Sequence, residues 1–239
     1  MKREVLNQLL ADREARRGVA LLTGMDTGLQ SLLYEDGTIF QAGSQTFDVQ
    51  GELSDVARRC IMQQRSSAIE IDGSRFIIRA YAPPSRLIIV GAVHIAQALL
   101  PMAGQAGFEV YLIDPRTAFG SATRFPGIDV KSEWPDKAVA ELSPDASTAV
   151  VTLSHDPKID DPALQVALDS DAFYVGSLGS RKTHAGRLKR LSELGIDDHT
   201  LARIHAPIGL PLGGRAPAEI AVSILAQIIE ARYSGGGSG

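Results

Sequence analysis

The chain has 239 residues, a length that fits one large domain or two small ones. With 44% hydrophobic and 22% charged residues, disorder is excluded as the default interpretation. The 24 Lys and Arg residues against 28 Asp and Glu leave a net charge of −4, so the chain lacks the basic excess of a non-specific nucleic-acid binder. The one cysteine, Cys60, excludes an internal disulfide and a zinc cage built from thiolates, which favours a reducing compartment.

The sequence predicts a cytoplasmic protein with no membrane segment. Residues 1–17 carry charges throughout and lack the apolar centre of a secretory signal. The longest apolar stretch, residues 87–102, contains His94, Gln97 and Pro101 and is shorter than the roughly 20 apolar residues of a membrane span. Residues 234–239 are Gly and Ser only, and we expect them to form a flexible tail.

Residues 1–83 are predicted to form a small α+β domain. Apolar residues at helical spacing predict helices, and acidic-Gly turns between apolar runs predict strand pairs. The predicted helices cover 3–16 and 53–63, and the predicted strands cover 19–23, 29–34, 38–41, 68–71 and 75–81. Pro83 and Pro84 end this pattern, because proline lacks a donor N–H and restrains the residue before it.

Residues 84–233 show a different pattern, in which apolar strands alternate with helices. The predicted strands cover 86–93, 108–113, 149–153, 173–175 and 204–206, and the predicted helices cover 95–106, 162–168, 183–194 and 217–232. Such alternation implies right-handed crossovers between parallel strands. The predicted fold class is therefore α/β: a Rossmann-like doubly wound parallel sheet preceded by the small α+β N-terminal domain.

Glycine-bearing loops that follow predicted strands form the candidate site, because open α/β sheets bind ligands at their carboxyl edge. The first loop, residues 91–96, matches the dinucleotide fingerprint at Gly91 and Ala96, and Asp114 follows about 20 residues later, where it could bind a ribose. Val93 occupies the position at which a glycine normally lets a pyrophosphate approach. This argues against ordinary dinucleotide binding, and a tight turn without a ligand is the alternative.

The second loop combines glycines, hydroxyls and cations at a predicted helix N-terminus, where free N–H groups and the helix dipole favour an anion. Its residues are Gly176, Gly179, Ser180, Arg181 and Lys182. The third loop runs from His205 through Gly213 and Gly214 to Arg215 and precedes Pro217, a plausible first helical residue. The alternatives to ligand binding are that Arg181 and Lys182 are solvated helix residues and that Gly213-Gly214 only reverses the chain.

The tripeptide Ser154-His155-Asp156 contains the residue types of a hydrolase triad. Consecutive side chains that leave a strand point in different directions, whereas a triad joins residues brought together in space, so we do not predict a hydrolase. Asp160 and Asp161 follow, but prolines at 157 and 162 make Asp156 and Asp161 turn or cap residues. A metal site at His155, Asp156, Asp160 and Asp161 is therefore an alternative with weak support, and no metal ligand is assigned.

Five ordered segments of the second half together resemble the xanthine dehydrogenase accessory (XdhC/CoxI) family. They are 91–96 with Tyr111-Leu112-Ile113-Asp114-Pro115-Arg116, then Arg124-Phe125-Pro126, residues 153–164 from Leu153-Ser154-His155-Asp156-Pro157, residues 173–184 with Gly176-Ser177-Leu178-Gly179-Ser180-Arg181-Lys182-Thr183-His184, and residues 202–221 with Gly209-Leu210-Pro211-Leu212-Gly213-Gly214-Arg215. Each segment is weak alone. The ordered set is highly specific and spans most of residues 86–232.

The resemblance implies a Rossmann-like domain that binds molybdenum cofactor, as molybdopterin or its cytidine dinucleotide form, and hands it to an apo molybdenum hydroxylase such as xanthine dehydrogenase, aldehyde oxidase or carbon monoxide dehydrogenase. Such a protein is a chaperone rather than an enzyme. The implied partners are the apoenzyme, a cysteine desulfurase and a cytidylyltransferase, and we expect a homodimer. The expected cofactor-binding residues are Gly91, His94, Asp114, Arg116, His155, Gly176, Gly179, Ser180, Arg181, His205, Gly213 and Arg215.

The chain departs from the family pattern in two places. Val93 stands where members commonly have glycine, and residues 40–44 contain no cysteine where many members have a Gly-Gly-Cys-Val-Glu-like segment. A thiol ligand at that point is therefore absent. Cys60 is predicted to be a small buried hydrophobic residue on a helix.

Two other functions compete with the chaperone hypothesis. A nicotinamide-dependent oxidoreductase is favoured by the first loop and Asp114, and disfavoured by Val93 and by the lack of a recognisable proton-transfer pair. An interaction module that docks a partner enzyme without binding a ligand is the second.

Overall fold

The protein is described by a computed structural model over residues 2–43 and 46–234. The chain divides into two compact units, Met1–Pro83 and Pro84–Arg232. Tyr233 and Ser234 group with the first unit. Ser234 is the last residue of a helix, and the rest of the predicted tail, residues 235–239, lies outside the described residues. In the described ranges, no helix has the length and apolar composition needed to cross a membrane.

The first unit is a five-stranded antiparallel sheet with two helices. Its elements are α1 (Arg3–Glu14), β1 (Val19–Gly24), β2 (Gln30–Tyr34), β3 (Ile39–Gln41), α2 (Glu52–Met62), β4 (Ser67–Ile71) and β5 (Ser74–Tyr81), with sheet order β3-β2-β1-β5-β4. The β4–β5 turn places Asp72 at φ 50° and Gly73 at φ 75°, as the Asp-Gly signal predicts. Cys60 on α2 is buried, and burial raises the pKa of its thiol, so it behaves as the predicted small hydrophobic residue.

The second unit is a six-stranded sheet in which every pairing is parallel. Its elements are β6 (Arg86–Val90), α3 (His94–Gln105), β7 (Glu109–Ile113), β8 (Val130–Lys131), α4 (Pro135–Glu141), β9 (Thr148–Thr152), α5 (Pro157–Leu168), β10 (Tyr174–Ser177), α6 (Arg181–Glu193), α7 (Asp198–Leu201), β11 (Ile204–His205) and α8 (Pro217–Ser234). The sheet order β11-β10-β9-β6-β7-β8 is the Rossmann order, with the switch point between β6 and β9. The predicted Rossmann-like doubly wound sheet is confirmed.

Helices cover both faces of this sheet, which explains the uninterrupted apolar run in β6. Leu87 and Ile89 pack in a cluster with residues of α3 and α8, while Ile88 and Val90 pack in a second cluster with residues of α4 and α5. All five residues of β6 are buried. A strand buried on both faces shows no alternation of apolar and polar residues, and this is typical of parallel sheets.

Several predicted boundaries are wrong for local reasons. The strand predicted over 86–93 ends at Val90, because Gly91 turns the chain with φ 112° and Val93 is already the N-cap of α3. Helix α5 begins at Pro157 rather than at residue 162, since the Asp156 side chain caps it by accepting a hydrogen bond from Lys158 N at 3.0 Å. The short elements β8, α4 and α7 are missed, because so few residues show no clear periodicity.

Candidate ligand-binding cleft at the switch point

The carboxyl ends of the six parallel strands place six loops at one edge of the second sheet. Strands β6 and β9 are neighbours at the switch point, and the loops that follow them, residues 91–93 and 153–156, flank the position where such sheets open a crevice. The loop after β10, residues 178–180, is next to them. This edge is therefore the candidate ligand-binding cleft.

Gly91 is required by the packing of two loops at this edge. Its N–H donates to the Ile113 carbonyl at 2.8 Å, and its φ of 112° is rarely adopted by other residues. A Cβ at this position would lie 2.8 Å from Ser154 N and 3.1 Å from the Leu153 carbonyl carbon. The glycine thus lets the β9–α5 loop approach the β6–α3 loop.

The Asp114 carboxylate is buried at the end of β7, and protein groups engage both of its oxygens. Oδ1 accepts hydrogen bonds from Arg116 N and Nε, both at 2.9 Å, and Oδ2 accepts from Ala92 N at 2.7 Å and Arg116 Nη2 at 2.8 Å. Burial alone would raise the pKa of Asp114, but these hydrogen bonds and the Arg116 charge hold it below its usual value. Asp114 fixes the first loop and the Arg116 guanidinium, which also lies 4.1 Å over the Phe119 ring.

The hydroxyl of Ser154 contacts Asp160 rather than His155. Ser154 Oγ donates to Asp160 Oδ1 at 2.6 Å, while His155 is exposed with φ 63°. The expectation that these consecutive residues do not form a triad agrees with this geometry. The expected turn or cap role of Asp161 is wrong, because Asp161 lies inside α5 and binds Arg190 Nε at 2.6 Å.

The second loop is shorter than the sequence suggests. Gly176 is part of β10 and is buried, and a Cβ there would lie 2.7 Å from Tyr174 Cε1 and 2.7 Å from Ile208 Cδ1, so its smallness serves packing. Ser180 is the N-cap of α6, with Oγ accepting from Thr183 N at 3.2 Å. Arg181 is the exposed first residue of α6, where its charge is available to an anion.

Arg187 is a residue of this region that sequence reasoning misses. It is 2% exposed, and its Nη2 donates to the Leu178 carbonyl of the second loop at 3.0 Å. Burial lowers the pKa of Arg187, although the nearby Asp160 charge opposes this shift. Its helical spacing to the buried Leu191 is the signal that could have placed it on the inner face of α6.

The third loop follows β11 and leads into α8. His205 stacks on Tyr174 with ring centroids 4.6 Å apart, and desolvation lowers the pKa of His205. Glu219 Oε2 accepts hydrogen bonds from Arg215 N at 2.8 Å and Ala216 N at 3.0 Å, which lower the pKa of Glu219. The N–H groups at the start of α8, where a helix can bind an anion, are thus occupied by a carboxylate of the protein itself, beside an open concavity of about 620 Å³.

The Rossmann-like unit matches a known protein family. The family model of the XdhC Rossmann domain matches residues 87–228. The chain belongs to the XdhC family. The resemblance seen in its motifs is confirmed.

Among the curated relatives of this XdhC-family chain, two match it over most of its length at 30% identity or more. The molybdenum cofactor insertion chaperone PaoD of Escherichia coli is 30% identical over 173 residues, which cover 72% of this chain and 47% of the relative. A protein of Bacillus subtilis named as a probable xanthine dehydrogenase subunit is 31% identical over 160 residues, 66% of this chain and 46% of the relative. The chain spans about half the length of these relatives.

The fold of this XdhC-family chain is also seen among solved structures. A crystal structure described as a xanthine dehydrogenase from Bacillus halodurans superposes with a TM-score of 0.69 at 22% identity, over 97% of this chain and 67% of that one. At 22% identity, this similarity is evidence for a shared fold and for nothing more.

Only some of the expected site residues of this XdhC-family protein contact one another or neighbouring loops in the structure. Hydrogen bonds connect Ala92, Asp114 and Arg116, and Gly91 packs against the loop that contains Ser154. His94 and His155 are exposed at the same edge. Within residues 46–234, no hydrogen bond or ion pair connects Gly213 or Arg215 with the first two loops. The described part of the chain contains no group of three or more His, Cys, Asp or Glu residues arranged to hold a metal ion.

Proposed function

We propose that this XdhC-family protein binds molybdenum cofactor at the carboxyl edge of its Rossmann-like sheet and delivers it to an apo molybdenum hydroxylase. The observation that carries the proposal is the Rossmann switch point within the family match over residues 87–228, together with the likeness to a relative named as a molybdenum cofactor insertion chaperone. In this proposal the protein is an accessory factor rather than an enzyme. It protects its cargo between synthesis and insertion.

The residues at the cleft suit a phosphate-bearing heterocycle. The start of α6 offers backbone N–H groups, and the exposed Arg181 and Lys182 add positive charge beside the cap residue Ser180. The glycine at 179, with φ 146°, keeps this loop free of a side chain. We assign the cofactor's phosphate to this loop and its ring system to the neighbouring loop after β9.

Cofactor binding is tested by titration of the purified protein with molybdenum cofactor released anaerobically from a molybdenum enzyme. We expect saturable binding, weakened about three- to tenfold by Arg181→Ala, since an exposed charge-assisted contact contributes roughly 1 kcal/mol. The matched control is Lys189→Ala, which removes an exposed cation of the same helix that lies 4.0 Å from Glu193. Failure to bind any pterin form would overturn the proposal.

Delivery and partners need separate measurements. Incubation of an apo molybdenum hydroxylase with the loaded protein is expected to restore its activity faster than free cofactor does. We also propose a cysteine desulfurase and a cytidylyltransferase as partners, a homodimeric state and a cytoplasmic location. Pull-down with each purified partner and light scattering of the eluted protein test these assignments.

An NAD(P)-dependent oxidoreductase is the less favoured function. The Asp114 carboxylate, which would bind a ribose, is buried and engaged by Ala92 N and Arg116, and Val93 stands at the pyrophosphate position. Titration with NADH and NADPH is expected to show no tight binding. Tight nicotinamide binding without pterin affinity would favour the oxidoreductase instead.

A further inference from the structure

Four buried side-chain atoms lack hydrogen-bond partners within the described residues, and all of them belong to α5 or α6. They are Asp160 Oδ2, Arg187 Nε, Arg187 Nη1 and His184 Nδ1. Asp160 is 1% exposed and Arg187 is 2% exposed. Buried polar atoms without partners are rare in native proteins and require an explanation, such as an occupant that is not part of the chain.

Asp160 and Arg187 each hold one loop of the candidate cleft. Asp160 Oδ1 accepts from Ser154 Oγ at 2.6 Å in the β9–α5 loop, and Arg187 Nη2 donates to the Leu178 carbonyl at 3.0 Å in the β10–α6 loop. Their charges interact, yet no ion pair within 4.0 Å joins these two described side chains. An unused acceptor and unused donors thus belong to the two buried side chains that hold the β9–α5 and β10–α6 loops.

We propose that Asp160 and Arg187 recognise the 2-aminopyrimidin-4-one edge of a pterin ring. This edge carries adjacent donors, an exocyclic amino group and a ring N–H, followed by a carbonyl oxygen. Asp160 Oδ2 accepts from the exocyclic amino group, Oδ1 accepts from the ring N–H in place of Ser154 Oγ, and Arg187 donates to the carbonyl oxygen. The inference rests on the proposed function, because it names the part of the molybdenum cofactor that Asp160 and Arg187 bind.

The ring edge reaches the pair by parting the two loops. Ser154 and Leu178 are half-buried at the sheet edge, so the pair is separated from solvent by residues that are themselves partly exposed. Burial raises the pKa of Asp160 and lowers that of Arg187, because neither charge is well solvated at its buried position. A ring with complementary donors and acceptors satisfies both groups at once. Guanine carries the same edge, so the chemistry is shared by pterins and guanine nucleotides.

The test compares 6-hydroxymethylpterin, guanosine monophosphate and lumazine, which replaces the amino group of pterin by a second carbonyl. The wild-type protein is expected to bind the pterin about tenfold or more tightly than lumazine, because lumazine brings an acceptor toward the carboxylate. Asp160→Asn turns one acceptor into a donor and should reverse this preference by a similar factor. Ligand fluorescence or calorimetry measures the affinities, and the guanosine arm shows whether the nucleotide competes for the site.

Asp161→Asn is the matched control, since it removes a carboxylate from the neighbouring position of α5 that pairs with Arg190. It should leave the pterin-to-lumazine ratio unchanged. Equal wild-type affinity for pterin and lumazine would mean that Asp160 does not contact the amino group of the ring, and this result overturns the inference even if Asp160→Asn fails to fold. An unchanged ratio in folded Asp160→Asn, with intact cofactor binding, overturns it while the proposed function stands. No wild-type binding of cofactor would overturn both.

Discussion

Gly91 and Gly176 illustrate how a residue can match a ligand-binding pattern for a packing reason. A Cβ on Gly91 would meet Ser154 N at 2.8 Å, and a Cβ on Gly176 would meet Tyr174 and Ile208 at 2.7 Å. The sequence rule that a glycine at the carboxyl end of a strand permits another group to approach the backbone closely is correct in both cases. The approaching group is another part of the chain, and a single sequence does not distinguish it from a ligand.

We predict that Gly91→Ala destabilises the protein by about 2–4 kcal/mol, because it combines an unfavourable positive φ with a collision against backbone atoms of the next loop. Urea unfolding followed by circular dichroism measures the free energy of unfolding. Gly104→Ala is the control: a Cβ on this exposed glycine of α3 would meet no atom within 4 Å, so alanine should stabilise by up to about 1 kcal/mol. A stability of Gly91→Ala equal to wild type would contradict the packing role.

At the scale of elements, a buried arginine ties together the edge of the sheet opposite the cleft. Arg86 Nη1 donates to the Leu142 carbonyl at 2.6 Å, Nη2 to the Ser143 carbonyl at 2.8 Å, and Nε to Thr148 Oγ1 at 3.1 Å. Asp145 Oδ2 lies 2.9 Å from Nη2. The start of β6, the end of α4 and the start of β9 are therefore joined by one charged group.

Asp145 makes this connection sensitive to acid. Burial alone would raise the pKa of Asp145, but hydrogen bonds from Ser147 and Thr148 and the Arg86 charge outweigh it and hold the pKa well below its usual value. Because the folded-state pKa is depressed, the stabilisation is present above the unfolded pKa of about 3.9 and is lost as the pH falls through the folded value.

We predict that Asp145→Asn lowers the free energy of unfolding by about 2 kcal/mol at pH 7, a figure reduced for the one-third exposure of the carboxylate. The difference from wild type should shrink below about pH 4. Urea unfolding between pH 3 and pH 7 measures it, with the exposed Asp129→Asn as control. Parallel stability–pH curves for wild type and Asp145→Asn would refute the linkage.

At the scale of the whole molecule, each unit has its own apolar interior. In the first, Leu22 and Leu33 pack with α2, and in the second, both faces of the parallel sheet are covered by helices. A unit that buries its own core can fold without the rest of the chain. The proposed domain boundary at about residue 83 follows from this property.

We predict that residues 84–234, expressed alone, unfold cooperatively in urea and bind molybdenum cofactor as tightly as the full chain does. The reason is that both apolar clusters of the sheet and all the candidate cleft loops lie within this fragment. Circular dichroism and the cofactor titration described above are the measurements, with the full chain as reference. A fragment without a cooperative transition would mean that the two units form one folding domain.

The amino-acid sequence by itself determined the class and order of the elements. Apolar runs bounded by glycine or proline predict β6, β7, β9 and β10, because a strand covered on both faces has no polar side. The Asp-Gly turns predict the hairpins of the first unit, since a positive φ is a local requirement. The motifs of residues 91–221 indicate the XdhC family. Even the Glu219 cap has a local signal, as a Glu three residues after Ala216 at the start of a helix.

Only the tertiary structure decided which side chains meet at the cleft. Asp160 and Arg187 are on different helices, and no periodicity of either helix shows that their unpaired atoms lie below adjacent loops. The same holds for the roles of Gly91 and Gly176, which depend on residues distant in the chain. Periodicity and turn chemistry are properties of neighbouring residues, whereas burial and side-chain contacts between elements arise when the sheet and its helices pack.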